Sequence, residues 1–469
     1  MTASVNSTLA RYRWASAFLN GMIQAPPTPR PDATSEEIRA RAINRVDRLR
    51  RFLDFAGRPQ DRYRTLHVGG TSGKGSTSAF LASILQAAGY RTGLHVSPYL
   101  QVETEKLVVD GRLESGDRFA DHVDALDGLV KQWAARGEPP LTYGEFWVAL
   151  TFLAFARDEV EFAVIEVGAG GRFDLTNVIQ SDVAVITSIG LDHVKSLGGT
   201  IPEIAWHKAG IIKPARPAVT TVDQPEALTV IAREAAEQRA PLTHLVDGRD
   251  FRVLGSGAAG TALLDVASGR SFDLPLPGTF QGANAAAAIG AARALRDLPR
   301  GPIDDDAIAR GLSSTRFPGR MEIVRDGPLV ILDGAHNPAK MASLVANLER
   351  LGHPTRRILV FGCLDSHDYL QLARLVAPVA DEVIVTTPSA TQRTSAAPEA
   401  LADVIRETGC PVEVVTEPRG ALEAALDRAA PDDQILVTGS LYLVGAVRER
   451  WYPSEAIVLA RSSWPGHDA

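Results

Sequence analysis

The sequence predicts an α/β fold with mostly parallel sheets in two domains, and three observations support that prediction. Short apolar runs rich in Val and Ile recur along the chain, among them Phe162 to Val167 (FAVIEV) and Val183 to Ile189 (VAVITSI). Continuous runs of this kind are typical of strands buried on both faces of a parallel sheet, and helical patterns lie between them. The alternation loosens after Pro214 and restarts at Met321, which indicates a second α/β domain.

Composition narrows the class of protein. The chain has 469 residues, 45% of them hydrophobic and 22% charged, so two or three domains with buried cores are expected. A net charge of −7 argues against a nucleic-acid surface, which needs dense Lys and Arg. No apolar run approaches the roughly 20 residues of a membrane span, and Cys363 and Cys410 are too few for a disulfide framework. We expect a cytoplasmic monomer whose partners are small molecules, with neither nucleic acid nor a membrane among them.

The first elements follow in chain order. Residues 1–35 are predicted as an N-terminal extension that ends in a Pro-rich connector, Pro26 to Pro31. Glu36 to Phe55 has apolar residues at helical spacing. The strand TLHV, a glycine-rich loop and a helix from about Ser76 to Ala88 then form one strand–loop–helix unit, and Thr92 to Val96 predicts the next strand.

The remaining elements divide the chain. Turn signals predict antiparallel hairpins over Phe251 to Leu276, and an alanine-rich helix follows from Asn284 to Leu295. We place the first domain at residues 36–315, a linker at FPGR, and the second domain at residues 321–469. The predicted strands of the second domain are LVILD, RILVFG, EVIVTT and QILVTG.

The stretch HVGGTSGKGSTSAF, His67 to Phe80, has the character of a phosphate-binding loop but departs from the pattern G-x-x-x-x-G-K-[ST]. Val68 stands where the first glycine belongs, and Gly75 separates Lys74 from Ser76. Glycines let a backbone wrap a phosphate closely, and the start of the following helix supplies free N–H groups and a positive dipole end.

The polar residues of this loop complete the prediction. Lys74 suits the β- and γ-phosphates of ATP, and the Ser76 hydroxyl suits Mg²⁺. The first domain is therefore predicted to be P-loop ATPase-like. Its nucleotide-binding residues are expected to be Gly70, Thr71, Ser72, Gly73, Lys74, Gly75 and Ser76.

Three further candidates lie in the first domain. Glu166 ends a buried strand before a glycine cluster, where it is either an Mg²⁺ ligand or a satisfied strand-end carboxylate. His193 follows the next strand and is either a metal ligand or a turn cap. Lys208 lies on a helix with apolar neighbours, so it is either a buried lysine that needs compensation or a surface lysine with a buried stem.

The second domain, which we expect to be Rossmann-like, offers two strand-to-helix turns. Asp333 and His336 lie in VILDGAHNP, where Asn337 and Pro338 begin a helix. Ser440 opens a helix after the strand ILVT, and a helix start suits a carboxylate. Ordinary turn chemistry is the alternative explanation for both.

Nine blocks of sequence together resemble one family. Two of them, the glycine loop and SPYL, lie in one stretch, and the other seven are EVGAGGRFDLTN, ITSIGLDH, HKAGIIKP, FQGANAAAA, FPGRMEI, LDGAHNP and GSLYLVG. In content and order they are similar to folylpolyglutamate synthase/dihydrofolate synthase, a branch of the Mur ligases. The blocks cover about residues 40 to 445. The resemblance implies ATP-dependent ligation of L-glutamate to a folate-type carboxylate, dihydropteroate or a tetrahydrofolate polyglutamate, through an acyl phosphate.

The resemblance also implies residue roles. Lys74 and Arg320 would hold the phosphates, and Ser76, Glu166 and His193 would hold Mg²⁺. Lys208 matches a lysine that is carbamylated in the family, and K⁺ is a further implied ion. Matches to nucleotide, adenosine-side and glutamate-side residues are Gln281, Asn284, Asp333, His336 and Ser440.

Several departures from the family pattern fall where an acceptor is expected to bind. Ser72 replaces an asparagine, and Tyr99 in SPYL replaces a histidine. The usual Glu-Arg pair that follows is Glu105-Lys106, and Ser366-His367 replaces an Asp-Lys pair. Ser97 and Tyr99 are the candidate acceptor residues. Two alternatives are therefore a Mur-type ligase with another carboxylate acceptor and, from a different class, an ATP-hydrolysing regulatory protein.

Overall fold

The computed structural model describes residues 2–23, 34–365, 368–389 and 393–466. The connector predicted at Pro26 to Pro31 and the pair Ser366-His367 lie outside these ranges. None of the helices in the described ranges combines the length and apolarity that a bilayer crossing requires.

The first sheet is mostly parallel, as predicted. Its strands are β1 (Arg64–Gly69), β2 (Thr92–His95), β3 (Val108–Val109), β4 (Arg112–Leu113), β5 (Phe162–Glu166), β6 (Val183–Ile186), β7 (Ala218–Thr220) and β8 (Leu242–His244). They lie in the order β4-β3-β2-β5-β1-β6-β7-β8. The pairs from β2 to β8 are parallel, and the β3–β4 hairpin is an antiparallel edge.

Helices cover both faces of this sheet. They are α1 (Thr2–Gly21), α2 (Ser35–Phe55), α3 (Lys74–Ala87), α4 (Gly116–Ala134), α5 (Tyr143–Arg157), α6 (Val194–Leu197), α7 (Ile201–Ala209) and α8 (Pro225–Glu237). On β5, Phe162 and Val164 face the α3 side, whereas Ala163 and Ile165 face the α5 side. This alternation explains why the strand is apolar throughout.

A smaller unit follows the first sheet. Strands β9 (Phe251–Gly257), β10 (Gly260–Asp265) and β11 (Arg270–Leu274) form the antiparallel sheet that the turn signals predicted. Helices α9 (Phe280–Ala294) and α10 (Asp305–Ser314) then pack against α3 in one shared core. The alanines of α9 permit this close helix packing because their side chains are small.

The second α/β domain has six strands. They are β12 (Glu322–Asp326), β13 (Leu329–Leu332), β14 (Arg357–Phe361), β15 (Glu382–Val385), β16 (Val412–Val414) and β17 (Gln434–Thr438), in the order β12-β13-β17-β14-β15-β16. All neighbours are parallel except β12 and β13. The helices are α11 (Pro338–Leu348), α12 (Tyr369–Val376), α13 (Pro398–Glu407), α14 (Pro418–Arg428), α15 (Leu441–Arg448) and α16 (Ser454–Ala460).

A buried arginine connects the two sheets. The Arg448 side chain is fully buried at the end of α15 and pairs with Glu322 at 2.8 Å. Its guanidinium also donates to Oε1 of Gln101, from the first domain, at 2.6 Å and to the carbonyl of Ser463 at 2.7 Å. Breaking such a buried pair leaves an uncompensated charge, so this contact fixes the second domain against the segment that follows β2.

Candidate active site

The glycine loop connects β1 to α3 at the edge where β5 and β6 also end. Gly70 and Gly73 have φ of +147° and +83°. A Cβ at Gly70 would overlap Oγ1 of Thr187, and one at Gly73 would overlap Oδ1 of Asn284. Both positions therefore require glycine for two reasons: the positive φ disfavours other residues, and there is no space for a Cβ.

Hydrogen bonds to the segment after β6 hold the loop in shape. The Thr71 N–H donates to the carbonyl of Ser188 at 2.8 Å, and the Ser72 N–H donates to Ser188 Oγ at 3.0 Å. Thr187 Oγ1 donates to the carbonyl of Ser72 at 2.6 Å. The backbone of Ser72 is thus fixed from two sides, which pre-forms the loop for a ligand.

Helix α3 begins at Lys74, two residues before the predicted start. Gly73 has no side chain with which to cap it, so the first N–H groups of α3 face the loop and suit an anion. Lys74 Nζ lies 4.0 Å from Oε1 of Glu166, and both side chains are largely buried. Ser76 is buried in the first turn.

Gly75 has a different reason to be glycine. A Cβ at this position would lie 2.7 Å from the Phe317 ring, which comes from the linker between the two domains. The glycine that breaks the general loop pattern thus leaves space for an aromatic side chain over the start of α3.

Glu166 ends β5 with its carboxylate directed into the site. Oε2 accepts the N–H of Ser97 at 3.0 Å, and Oε1 faces Lys74. Burial raises the pKa of Glu166, while Lys74 and the Ser97 N–H oppose that shift. A buried carboxylate with one oxygen toward a lysine suits a cation bound between phosphate and protein.

Lys208 is a buried lysine, which decides the alternative that the sequence left open. Its Nζ donates to the carbonyl of Gly70 at 2.9 Å, and the residue is 3% exposed. Burial, followed by repulsion from Lys74, lowers the pKa of Lys208 to about 7, and Asp192 opposes the shift. The ammonium therefore loses its proton near neutral pH.

His193 lies at the rim of the same cluster. It is the residue before α6 and has φ of 50°. Its side chain is 52% exposed, and its Nε2 lies 3.9 Å from Oδ1 of Asp192. Partial burial of this half-exposed imidazole lowers the pKa of His193, Asp192 opposes the shift, and Lys208 and Lys74 reinforce it. A neutral imidazole is the form that binds metal.

The second domain brings its charged turn to this edge. Both Asp333 oxygens accept backbone N–H groups, from Met321 at 2.9 Å and Ala335 at 2.8 Å. Burial raises the pKa of Asp333, and Arg320 opposes that rise. Asp333 therefore connects the segment that carries Arg320 to the turn that carries His336.

His336 and Ser440 occupy neighbouring helix starts. His336 Nδ1 is 2.8 Å from the Gly334 carbonyl, and Nε2 is 3.0 Å from Nζ of Lys340. Ser440 caps α15, with Oγ accepting the N–H of Tyr442 at 3.2 Å. The capping alternative for Ser440 is thus realised, beside a helix N-terminus that still suits a carboxylate.

Gln281 and Asn284 face the loop from α9. Asn284 Nδ2 donates to Oε1 of Gln281 at 2.9 Å, and its own Oδ1 borders Gly73. Gln281 Nε2 is buried and has no hydrogen-bond partner among the described residues. Such an orphaned donor beside a glycine cradle fits a polar ligand atom. Together with the uncapped α3, Ser76 and Glu166, it makes the site fit Mg²⁺ and a nucleotide.

The candidate acceptor residues lie beside the N-terminal helix. Tyr99 Oη is 3.5 Å from Oε1 of the buried Glu103. Tyr12 and Ser16 of α1 also donate to Glu103, Ser16 at 2.6 Å. The predicted N-terminal extension thus contributes a helix that packs next to Tyr99.

Glu105 and Lys106, which depart from the family pattern, have structural roles. Glu105 Oε2 accepts the backbone N–H groups of Leu100 and Gln101, the latter at 3.3 Å. Lys106 lies 4.1 Å from the centre of the Trp147 ring. These two buried residues therefore stabilise the segment that follows the candidate acceptor residues Ser97 and Tyr99.

Sequence reasoning missed two residues that the fold brings into the site, Phe317 and Lys340. Phe317 lay in the predicted linker, where nothing in the pattern marks an aromatic residue as packed on a loop. A signal for Lys340 was present: it follows an Asn-Pro helix start, where the helix dipole disfavours a cation. The implied K⁺ and the monomeric state stay predictions.

Comparisons with known proteins agree with this geometry. Residues 68–292 match the Mur ligase middle domain, and residues 319–441 match the Mur ligase glutamate ligase domain. Dihydrofolate synthase/folylpolyglutamate synthase of Bacillus subtilis is 34% identical over 416 residues, which cover 86% of this chain and 94% of the relative.

Solved structures show the same likeness. Mycobacterium tuberculosis folylpolyglutamate synthase complexed with ADP has a TM-score of 0.80 at 29% identity, covering 94% of this chain and 98% of that one. A folylpolyglutamate synthase–AMPPCP–folate complex has a TM-score of 0.77 at 30% identity, covering 94% and 99%.

The fold and site define an ATP-dependent amide ligase of the Mur type. Within that class, the extent of identity to the Bacillus subtilis enzyme shows which branch applies. The chain belongs to the folylpolyglutamate synthase/dihydrofolate synthase family.

Proposed function

We propose that this enzyme uses ATP to ligate L-glutamate to the carboxylate of a folate-type acceptor, dihydropteroate or a tetrahydrofolate polyglutamate. One observation carries the proposal: the uncapped start of α3, with Lys74 4.0 Å from Glu166, lies under the Phe317 ring, which contacts Arg320 beside the turn of the second domain that holds His336. Family membership and the folate-bound relative support it.

The first step transfers the γ-phosphoryl group to the acceptor carboxylate. The N–H groups at the start of α3 and the Lys74 ammonium bind the phosphates, and Arg320 adds charge from the domain junction. Ser76, Glu166 and His193 would hold Mg²⁺, which supplies further charge neutralisation at the phosphates when bound. The product of this step is an acyl phosphate.

The second step forms the amide bond. We assign His336 and the helix start at Ser440 to the incoming glutamate, because both lie at the second-domain turns beside the phosphate site. The glutamate amine attacks the acyl carbon, and phosphate leaves with the C–O bond electrons. Closure of the two domains would exclude water, which would otherwise hydrolyse the acyl phosphate.

Lys208 is proposed to act as a carbamate. A neutral amine attacks CO₂ and loses one proton, which converts a cation into an anion near Lys74 and His193. The low pKa of Lys208, about 7, favours the amine that this reaction needs. An anion there would help to position the metal and its ligands.

A product assay tests the proposal. The protein is incubated with Mg-ATP, L-glutamate and either dihydropteroate or a reduced folate, and phosphate release and product mass are followed. We expect a product that carries one added glutamate, and Lys74→Ala should abolish it because the phosphate contact is lost. If glutamate were ligated only to a carboxylate that is not a pterin, the enzyme would be a Mur-type ligase with a different acceptor. ATP turnover indifferent to every amine and carboxylate would support a regulatory ATPase.

A further inference from the structure

Lys340 is a cation in a position where helix electrostatics disfavour one. It lies in the first turn of α11, and its backbone N–H donates to Oδ1 of the Asn337 cap at 2.9 Å. The positive end of the helix dipole therefore acts on the Lys340 ammonium as a repulsive field. A lysine is expected here when an anion compensates for that repulsion.

The neighbours of Lys340 increase the need for an anion. The residue is half-buried, and the cations Lys74 and Arg320 repel its charge, while the carboxylates Asp192 and Glu166 attract it. Burial first, and then Lys74 and Arg320, lower the pKa of Lys340 to about 7. An anion placed among these cations would favour the charged lysine.

His336 holds the Lys340 side chain in this field. If Nδ1 of His336 donates to the Gly334 carbonyl, at 2.8 Å, then Nε2 is left as an acceptor for the Lys340 ammonium at 3.0 Å. An ammonium has three donors, and His336 takes one of them. The geometry thus fixes Nζ while donors remain for a ligand.

The surroundings of the His336–Lys340 turn select the ligand. Nη1 of Arg320 lies 2.9 Å from the place that a Cβ on Gly334 would take, the Arg320 guanidinium lies 5.5 Å from the centre of the Phe317 ring, and that ring covers Gly75 beside Lys74. Lys74 and Arg320 are also the cations whose charge lowers the pKa of Lys340. In loops of this type the lysine contacts the β- and γ-phosphates. An anion shared by Lys74 and Lys340 is therefore the terminal phosphate of the nucleotide, rather than a carboxylate bound at Ser440.

We propose that Lys340 contacts the γ-phosphoryl group of ATP and stabilises its charge during transfer, so that the second domain completes the phosphate site. In that transfer an acceptor oxygen bonds to the γ-phosphorus while the bond to ADP breaks, and Lys340 forms no covalent bond. The transfer step rests on the proposed function, whereas the contact with nucleotide does not depend on which acceptor is used.

Nucleotide binding tests the contact directly. Calorimetry compares ADP with the non-hydrolysable analogue AMPPCP for the wild type, Lys340→Met and Lys340→Arg. Lys131→Met is the control, because Lys131 is 77% exposed on α4. In Lys340→Met the preference for AMPPCP over ADP should fall about tenfold or more while ADP affinity stays unchanged, since one charge-assisted contact to the γ-phosphate is lost. Lys340→Arg should keep most of that preference.

Steady-state kinetics supply the second readout. For Lys340→Met we expect kcat to fall about 100-fold with the KM for glutamate unchanged. Either the binding loss or the kcat loss supports the contact, and the Lys340→Arg rescue separates it from misfolding. If Lys340→Met kept both the wild-type preference for AMPPCP and the wild-type kcat, the proposed contact would be overturned. A change confined to the KM for glutamate would also overturn it. If the wild type made no pterin product, the proposed function would fail, but the nucleotide comparison would still decide the role of Lys340.

Discussion

Lys208 gives the sharpest test of how burial prepares this site. The residue is 3% exposed beside the glycine loop, and its Nζ donates to the carbonyl of Gly70 at 2.9 Å. At about pH 7.5, an amine of pKa about 7 is roughly three-quarters neutral, whereas at the ordinary 10.5 about one molecule in a thousand is neutral. The fold thus raises the population of neutral amine by about two to three orders of magnitude.

The perturbation is Lys208→Ala. If the carbamate organises the metal site, its loss should lower kcat by about 100-fold or more, and short carboxylates added to the assay should restore part of the activity by occupying the vacated space. The matched control is Lys195→Ala, an exposed lysine on α6, which should retain full activity.

Two measurements check the reasoning. Phosphate release at saturating ATP gives kcat with and without added formate or acetate, and ¹³C-bicarbonate labelling should give a carbamate resonance in the wild type that Lys208→Ala lacks. A fully active Lys208→Ala would refute the carbamate role. Loss of activity without a carbamate resonance in the wild type would leave Lys208 as a neutral hydrogen-bond donor.

Two further predictions follow from the structure. Gly73→Ala should weaken ATP binding by about tenfold or more in calorimetry. The left-handed backbone costs a non-glycine residue about 1 kcal/mol, and the new Cβ would overlap Asn284. The control is Gly248→Ala, where φ is +81° and nothing surrounds the new Cβ, so this variant should bear the backbone cost alone and bind ATP as the wild type does. Burial lowers the pKa of His95 to about 3, so the folded state stays neutral where the unfolded state binds a proton below about 6.5, and stability falls as pH falls between these values. The urea midpoint of unfolding should therefore fall less between about pH 7 and about pH 5 for His95→Gln than for the wild type. An equal fall of the midpoint in both proteins would contradict this prediction.

The strand framework could be predicted because its apolar runs carry their own signal. The predicted runs at Phe162 and Val183 became β5 and β6, each shortened at its carboxyl end where the chain turns into the site. Helix α3 begins at Lys74, earlier than the predicted start near Ser76, because the chain starts the helix after Gly73 and leaves it without a side-chain cap. Cap preferences carry no signal for such an uncapped start.

Burial of charged side chains could not be predicted in the same way. Lys208 has apolar neighbours whether it is buried or not, and only packing of α7 against the loop decides that its ammonium meets Gly70. The helix start that precedes Lys340 is a local signal, but the approach of Lys340 to the first domain depends on how the two domains face each other, which no local pattern encodes. Contacts between distant segments carry this information, and a single sequence does not display them.

The inserted Gly75 shows how one small residue connects the two domains. It makes room for the Phe317 ring, which a Cβ would approach to 2.7 Å. The same ring lies 5.5 Å from the Arg320 guanidinium, close enough for a cation–π contact. The linker aromatic therefore contacts both the glycine loop and Arg320, the arginine that we propose to bind phosphate. Because the loop, the linker and Arg320 meet at this ring, a larger residue at position 75 would displace Phe317 and with it the contact to Arg320.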